Sequence, residues 1–454
     1  ASSVPDFVYR GRWRARVFPS RPAAGPTVVV GDGFDVPGAV RVGGADGLGR
    51  VLRSVSPARV VVVGGGMLAV ARAVVAAGWG GELITVSRGL HRIDGAETGD
   101  PGAAVDAAVG ASLGVEHPRV RAWHLDLPGY DAEEDAGTLR RVLGAPWEHR
   151  EAVIAWRGRA LVWRLAHEPL AGAPDGTGAG LVAGGRWVVT GGRGGVAGAL
   201  LGSAPGGMSV LVVGRADVAV DSDPALGELR AAGHDVAYAA VDITDAAALE
   251  RAVAAAEERW GGPLDGVLHL AGEYSIGTVA DADRLGAVAG VGSGRLGAAA
   301  DTGADRWHAA KVAGSLAVAQ VLGRRPGSRL VALSSLVARV PVAGAGAYAA
   351  GNRFLEALCE RLAPATPVWC LAWGAWQGTG ISAGQRGMED TLRRYAHVTA
   401  PDVAAAVTRA ALRLPPGGRE RLEGAILRRF SLGLEGEPLA IPGEGYGATD
   451  AFYE

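Results

Sequence analysis

Cysteine is scarce in this chain: Cys359 and Cys370 are the only two among 454 residues, and both lie in apolar stretches. A disulfide framework is therefore not expected; the pair reads as reduced core residues, compatible with a reducing compartment. No apolar run approaches the ~20 residues of a membrane span, and the first residues lack the pattern of a signal peptide. A cytoplasmic location follows as the expectation. The formal net charge is only −2, so bulk electrostatics give no reason to expect a nucleic acid or an anionic membrane as partner. The sequence begins with Ala rather than Met, as a piece of something larger would. Glycine is abundant instead, 72 residues gathered in loops without a collagen-like period. The length suits two or three domains.

Residues 1–183 read as a βα unit without chemistry. Phe7–Val17 alternates large and charged residues like an early strand. Arg59–Val63 is an apolar strand, followed by Gly64-Gly65-Gly66 and an amphipathic helix, Met67–Ala77; Glu82–Ser87 is another buried strand. Glycines ahead of a helix suit a phosphate, but a tight strand-to-helix turn is the reading preferred here. No residue ending the next strand is placed to read a ribose. Glu116-His117-Pro118 and Asp126-Leu127-Pro128 follow, with His117 read as structural, then the strand pair Ala152–Trp156 and Ala160–Arg164. Residues 171–185 are rich in Gly, Ala and Pro and read as a linker, with the boundary near Ala183.

Four strands follow, each with a helical segment behind it: Trp187–Thr190, Ser209–Val213, Val236–Val241 and Gly266–Leu270. That alternation implies a parallel, doubly wound sheet whose ligands gather at the carboxyl ends of the strands. The loop Gly191-Gly192-Arg193-Gly194-Gly195 would let backbone approach a pyrophosphate at a helix N-terminus. Pro205 keeps the following helix short. The second strand ends at Gly214-Arg215, where a guanidinium could hold a 2′-phosphate through paired hydrogen bonds, favouring NADPH over NADH. Ala271-Gly272 are small residues that let backbone pass close to a cofactor.

Leu330–Leu333 is a short apolar strand ending in Ser334-Ser335, and Tyr348 opens a helix with Phe354, Leu355, Leu358 and Leu362 on its apolar side. Tyr348 and Asn352 are one helical turn apart. A hydroxyl and a phenol so placed can hold a carbonyl between them. An unperturbed phenol, with a pKa of ~10, needs help to act near neutrality. Lys311, on an apparent helix upstream, is the candidate to supply the charge, and Asn352 to hold a water or Lys311 in place.

Tyr348-Ala-Ala-Gly-Asn352, with Ser335 and Lys311 at their spacings, resembles the ketoreductase domain of type I modular polyketide synthases. That family is a branch of the short-chain dehydrogenase/reductase superfamily in which the Lys and Asn positions are exchanged. The resemblance implies an α/β fold with two Rossmann-like subdomains: a truncated structural one that binds no nucleotide (1–183) and a doubly wound catalytic one (184–454). It implies NADPH as cofactor and no metal. Thr190, Gly191, Gly195 and Ala197 map onto the superfamily's cofactor pattern; Asp242, followed by Ile243, sits where the family places an acid on the adenine edge, or else is a helix-start acid. The substrate implied is a β-ketoacyl thioester on the phosphopantetheine arm of an acyl carrier protein, with other synthase domains as neighbours. Trp373 and Trp376 would be groove walls or core, Gly378–Tyr395 a substrate lid, Pro367–Leu371 a strand, Ala400–Leu412 a final helix, and Gly424–Phe430 a late strand.

Two landmarks depart from the family. Glu273-Tyr274-Ser275-Ile276 stands where Leu-Asp-Asp would mark one hydroxyl configuration, and Val340 where a Trp would mark the other. Product configuration is accordingly unassigned, and Val288–Thr302 reads as an insertion. A free-standing alcohol dehydrogenase and a reduction-silent domain that packs its neighbours or epimerises are the alternative readings.

Overall fold

Runs of β-branched residues without a polar break form strands buried on both faces, and the glycines behind them turn the chain into helices. The computed structural model describes residues 7–20, 25–32, 34–97, 99–149, 151–169, 181–272, 277–279, 310–380, 399–414 and 422–423. In the first half these are β1 (Phe7–Ala15), β2 (Thr27–Val30), β3 (Val40–Val42), α1 (Ala45–Val55), β4 (Arg59–Val63), α2 (Met67–Ala77), β5 (Gly81–Arg88), α3 (Pro101–Glu116), β6 (Val120–Leu127), α4 (Ala132–Gly144), β7 (Val153–Trp156) and β8 (Ala160–Pro169). The second half begins with β9 (Arg186–Thr190), α5 (Gly195–Gly202), β10 (Ser209–Gly214), α6 (Pro224–Ala231), β11 (Asp235–Ala240), α7 (Ala246–Trp260) and β12 (Gly266–His269). It continues through α8 (Ala313–Gly323), β13 (Arg329–Ser335), a 3₁₀ turn (Leu336–Ala338), α9 (Gly346–Leu362), β14 (Val368–Trp373), α10 (Pro401–Ala411) and β15 (Leu422–Glu423).

All the described strands join one sheet, in the order β11-β10-β9-β12-β13-β14-β15-β1-β8-β7-β6-β5-β4-β2-β3. Each flank is parallel; the antiparallel pairs β1–β8, β7–β8 and β1–β15 sit at the middle, where the halves meet. In the second half β9 lies between β10 and β12, so the strand order reverses there. A crevice at the carboxyl ends of β9 and β12 is where an open α/β sheet takes its ligand.

The halves share a core. Leu113 of α3 and Ala347, Ala350, Phe354 and Leu358 of α9 belong to one buried cluster with strands of the first half. Full burial of a side chain such as Phe354 or Leu358 contributes about 1.5–3 kcal/mol. A polar tie runs beside it: Ser334 Oγ donates to Glu356 Oε1 at 2.8 Å, Arg339 and Arg353 pair with Glu356, and the Arg339 guanidinium lies 4.6 Å from the Trp163 ring centre. The helix that carries Tyr348 is thus built into the first half.

The Gly64-Gly65-Gly66 turn holds all three residues at positive φ, and the N–H of Met67 donates to Asp106 Oδ1 at 3.0 Å. A carboxylate of the chain itself thus occupies the helix terminus where a phosphate would sit, which favours the plain turn reading. Most of the linker, residues 381–395 of the expected lid, Glu273–Ile276, Val288–Thr302 and Gly424–Phe430 lie outside the described residues.

Candidate active site

Thr190 ends β9 fully buried, and Gly191 follows at φ +73°. A Cβ on Gly191 would stand 2.9 Å from the backbone N and Cα of Ala271, so the turn closes directly on the chain leaving β12. Gly192 has Val212 and Val189 methyls 2.9–3.1 Å from where its Cβ would be. Helix α5 starts behind this turn with Gly194 as its N-cap and no side-chain cap, so its first N–H groups face outward. This cradle, closed to any side chain at 191 and with no capping side chain on its N-cap residue, fits a dinucleotide pyrophosphate. Alanine at 197 is fully buried beneath it. Arg193 is drawn aside, bonding Asp223 through Nε and Nη2 at 3.0 and 2.7 Å. Arg215 is exposed at the end of β10; Asp242 is exposed and accepts from Thr244 N and Oγ1, a local turn, with Ile243 buried behind it. Ala271 and Gly272 line the β12 side, half-buried.

Lys311 is the only lysine of the chain. It stands in the turn ahead of α8 rather than on the helix, which begins at Ala313. Its Nζ donates to Leu333 O at 2.6 Å, and burial pulls the amine down from its ordinary value to about 8. Ser335 closes β13 and accepts from Val337 N at 3.3 Å, capping the 3₁₀ turn. Tyr348 lies in the first turn of α9, half-buried; Asn352 Nδ2 donates to Tyr348 O at 2.9 Å, and Asn352 Oδ1 is buried without a hydrogen-bond partner among the described residues. Leu333 is two residues before Ser335, so one strand end carries the alcohol and anchors the amine.

A relay that sequence reading passed over joins the cofactor cradle to Lys311. Ser315 Oγ donates to Lys311 O at 2.6 Å, so it accepts from His269 Nε2 at 3.1 Å. His269 Nδ1 is then the acceptor for Thr190 Oγ1 at 2.8 Å, and Thr190 Oγ1 takes the N–H of Ala271 at 3.3 Å. Burial holds His269 neutral, with its pKa down at about 3. The one sequence sign was a polar residue inside Val267–Leu270. Thr379, from the loop after β14, lies against Gly195 where a Cβ would be; it falls in the stretch expected as a lid, but no local spacing pairs it with the glycine turn. Trp373 and Trp376 are core residues, buried and edge to face at 5.5 Å.

Residues 185–378 match the family model described as "KR domain". The chain carries a KR domain of the polyketide-synthase type. It is similar to polyketide synthase GfsA of Streptomyces halstedii, 30% identical over 331 residues, 69% of this chain and 4% of that protein. It is also similar to erythronolide synthase EryA3 of Saccharopolyspora erythraea, 28% identical over 314 residues, 67% of this chain and 9% of that protein. The chain therefore spans less than a tenth of the length of either relative. Among solved structures, one titled as an A1-type ketoreductase superposes with a TM-score of 0.77 at 23% identity, covering 98% of this chain and 99% of that one. The ketoreductase from the first module of phoslactomycin biosynthesis in Streptomyces sp. HK803 gives 0.72 at 24% identity, covering 93% and 94%. These matches establish the two-part Rossmann-like fold. Membership of the KR family implies an oxidoreductase that uses a nicotinamide cofactor. No helix among the described residues is long and apolar enough to cross a membrane.

Proposed function

We propose that this KR domain reduces a β-ketoacyl thioester to the β-hydroxyacyl thioester, with NADPH as the cofactor and an acyl carrier protein presenting the chain on its phosphopantetheine arm. The observation that carries the reading is the anchoring of the Lys311 amine to the strand that ends at Ser335, with Tyr348 and Asn352 tied to each other on α9. In this reading 184–454 is the catalytic part and 1–183 its structural companion, working beside other domains of a synthase in the cytoplasm. Much longer relatives support such neighbours.

Bound in the cradle, the nicotinamide supplies a hydride to the carbonyl carbon. The rest falls to the chain. Thr190, Gly191, Gly192, Arg193, Gly194 and Gly195 would hold the pyrophosphate end, Arg215 would take the 2′-phosphate, Asp242 and Ile243 would serve the adenine, and Ala271 and Gly272 would let backbone come close to the cofactor. Ser335 Oγ and Tyr348 Oη donate to the carbonyl oxygen, where negative charge grows. Tyr348 gives up its proton to that oxygen. Protonated Lys311 stabilises the phenolate left behind, and lowering a phenol from ~10 to ~7 takes about 4 kcal/mol of such help. Asn352 Oδ1, an acceptor still to be used, suits a water or the Lys311 ammonium on the path that reprotonates Tyr348.

The test is NADPH oxidation with a β-keto thioester surrogate. Tyr348→Phe is expected to lose about 10²–10⁴-fold in kcat, the usual share of a positioned acid. A phenylalanine variant as fast as the parent, or a preference for free alcohols over thioesters, would sink the reading.

A further inference from the structure

The last residue of α3 reaches out of the first half into the catalytic loops. Glu116 Oε2 accepts the N–H of Val279 at 2.7 Å, and Oε1 accepts the N–H of Gly344 at 3.0 Å. These two amides belong to different loops: Val279 follows β12, and Gly344 lies two residues ahead of α9. The loops also bond each other, Gly277 N donating to Gly344 O at 3.0 Å. Gly344 holds φ +75°, and a Cβ on Gly346 would meet Val279 Cγ2 at 2.7 Å and Ser112 Cβ at 3.1 Å. Val279 is fully buried. Nothing in this knot has room to slide.

From this geometry we propose that Glu116 is a positioning residue for the reduction. One carboxylate fixes the spacing between the loop that leaves the cofactor side of β12 and the loop that delivers Tyr348. A carboxylate suits the task because each oxygen accepts one amide, and hydrogen bonds to an ionised acceptor are the stronger kind. Tyr348 starts only two residues after Gly346, so a shift of the 342–346 loop moves the phenol. Displacements of about 1 Å can cost about 10²-fold in rate. The first half thereby acts on the chemistry without touching substrate. This rests on the reductase reading above.

The test uses Glu116→Gln in the full chain, whose amide can accept only one of the two N–H groups and turns a donor toward the other. Glu151→Gln is the control, since Glu151 pairs with Arg164 in the same half, away from these loops. Backbone amide exchange at Val279 and Gly344, kcat, KM for NADPH, product diastereomer ratio and Tm are read for each. Glu116→Gln is expected to speed exchange at both amides and cut kcat about tenfold or more, with KM for NADPH within about twofold. It should also shift the diastereomer ratio, with a Tm change no larger than that of the control. Parental kcat and product ratio despite faster exchange overturn the positioning role. An equal loss of kcat in Glu151→Gln overturns it too. Unchanged exchange overturns the clamp, whether or not the parent turns over; a parent without turnover refutes the reductase reading alone.

Discussion

Lys311 Nζ donates to Leu333 O at 2.6 Å, tying the one amine side chain of the chain to the strand that ends in Ser335. Arginine outnumbers it 44 to one, yet arginine could not take its place as a tunable charge, because a guanidinium keeps its proton at any working pH.

The amine titrates at about 8 in the folded chain. Reduction should therefore hold steady below that value and decline as pH rises through it, measured as kcat against pH. In stability the sign is opposite to a simple ion pair. Between about 8 and the ordinary 10.5 the unfolded chain binds the proton that the folded one has lost, so stability rises with pH across that window. Lys311→Met should abolish turnover while stabilising the neutral-pH fold by on the order of 3 kcal/mol, read from a denaturant midpoint.

Gly191→Ala should damage the cradle twice, through its φ of +73° and through the Ala271 backbone 2.9 Å from the new Cβ. The expected loss is about 1–3 kcal/mol of stability, with NADPH binding weakened in calorimetry. Gly202→Ala, at the end of the same helix with nothing within 4 Å, should be neutral or stabilising by about 0.5–1 kcal/mol.

Asp106 caps α2 from a half-buried position, and desolvation raises its pKa to about 6 from 3.8. The folded chain holds that proton longer, so this group costs stability as pH rises from about 4 to 6 and leaves the cost in place above. Asp106→Asn keeps an oxygen for Met67 N–H without the charge. A gain on the order of 1–3 kcal/mol at pH 7, vanishing below about pH 4, is the expected result of chemical denaturation.

His124 and His269 are both buried and held neutral, each with a pKa of about 3. They share a device: His124 lies between Thr85 Oγ1 and Ser87 Oγ as His269 lies between Thr190 and Ser315. The unfolded chain protonates them below 6.5, so stability is whole above that pH and drains as pH falls toward 3. Each should remove about 1.4 kcal/mol per pH unit, visible as a falling urea midpoint between pH 6.5 and 5.

Local pattern was enough for much of the second half. Arg186–Thr190, its glycine turn and the short helix ahead of Pro205 are dictated by residues next to one another, and Tyr348 and Asn352 meet by helical repeat alone. The first half is less legible from local pattern. Helix α3 escaped notice because it is buried nearly all round, a stretch of Ala, Gly and Val with no polar face to set a period. Its end residue, Glu116, acts only through partners 163 and 228 positions away, a relation no local spacing reveals. The Thr190–His269–Ser315 relay was hidden for the same reason. The joining of both halves into one sheet rests on β15, which pairs antiparallel with β1 and parallel with β14, and alternation announces β1 as a strand but not as a seam.

A protein with a lone side-chain amine, buried against the strand that ends in Ser335, offers amine-seeking reagents one internal target. Covalent tagging at that position can proceed only as fast as the centre opens. The speed of labelling is therefore a clock for breathing of the interior around that amine, legible by mass spectrometry.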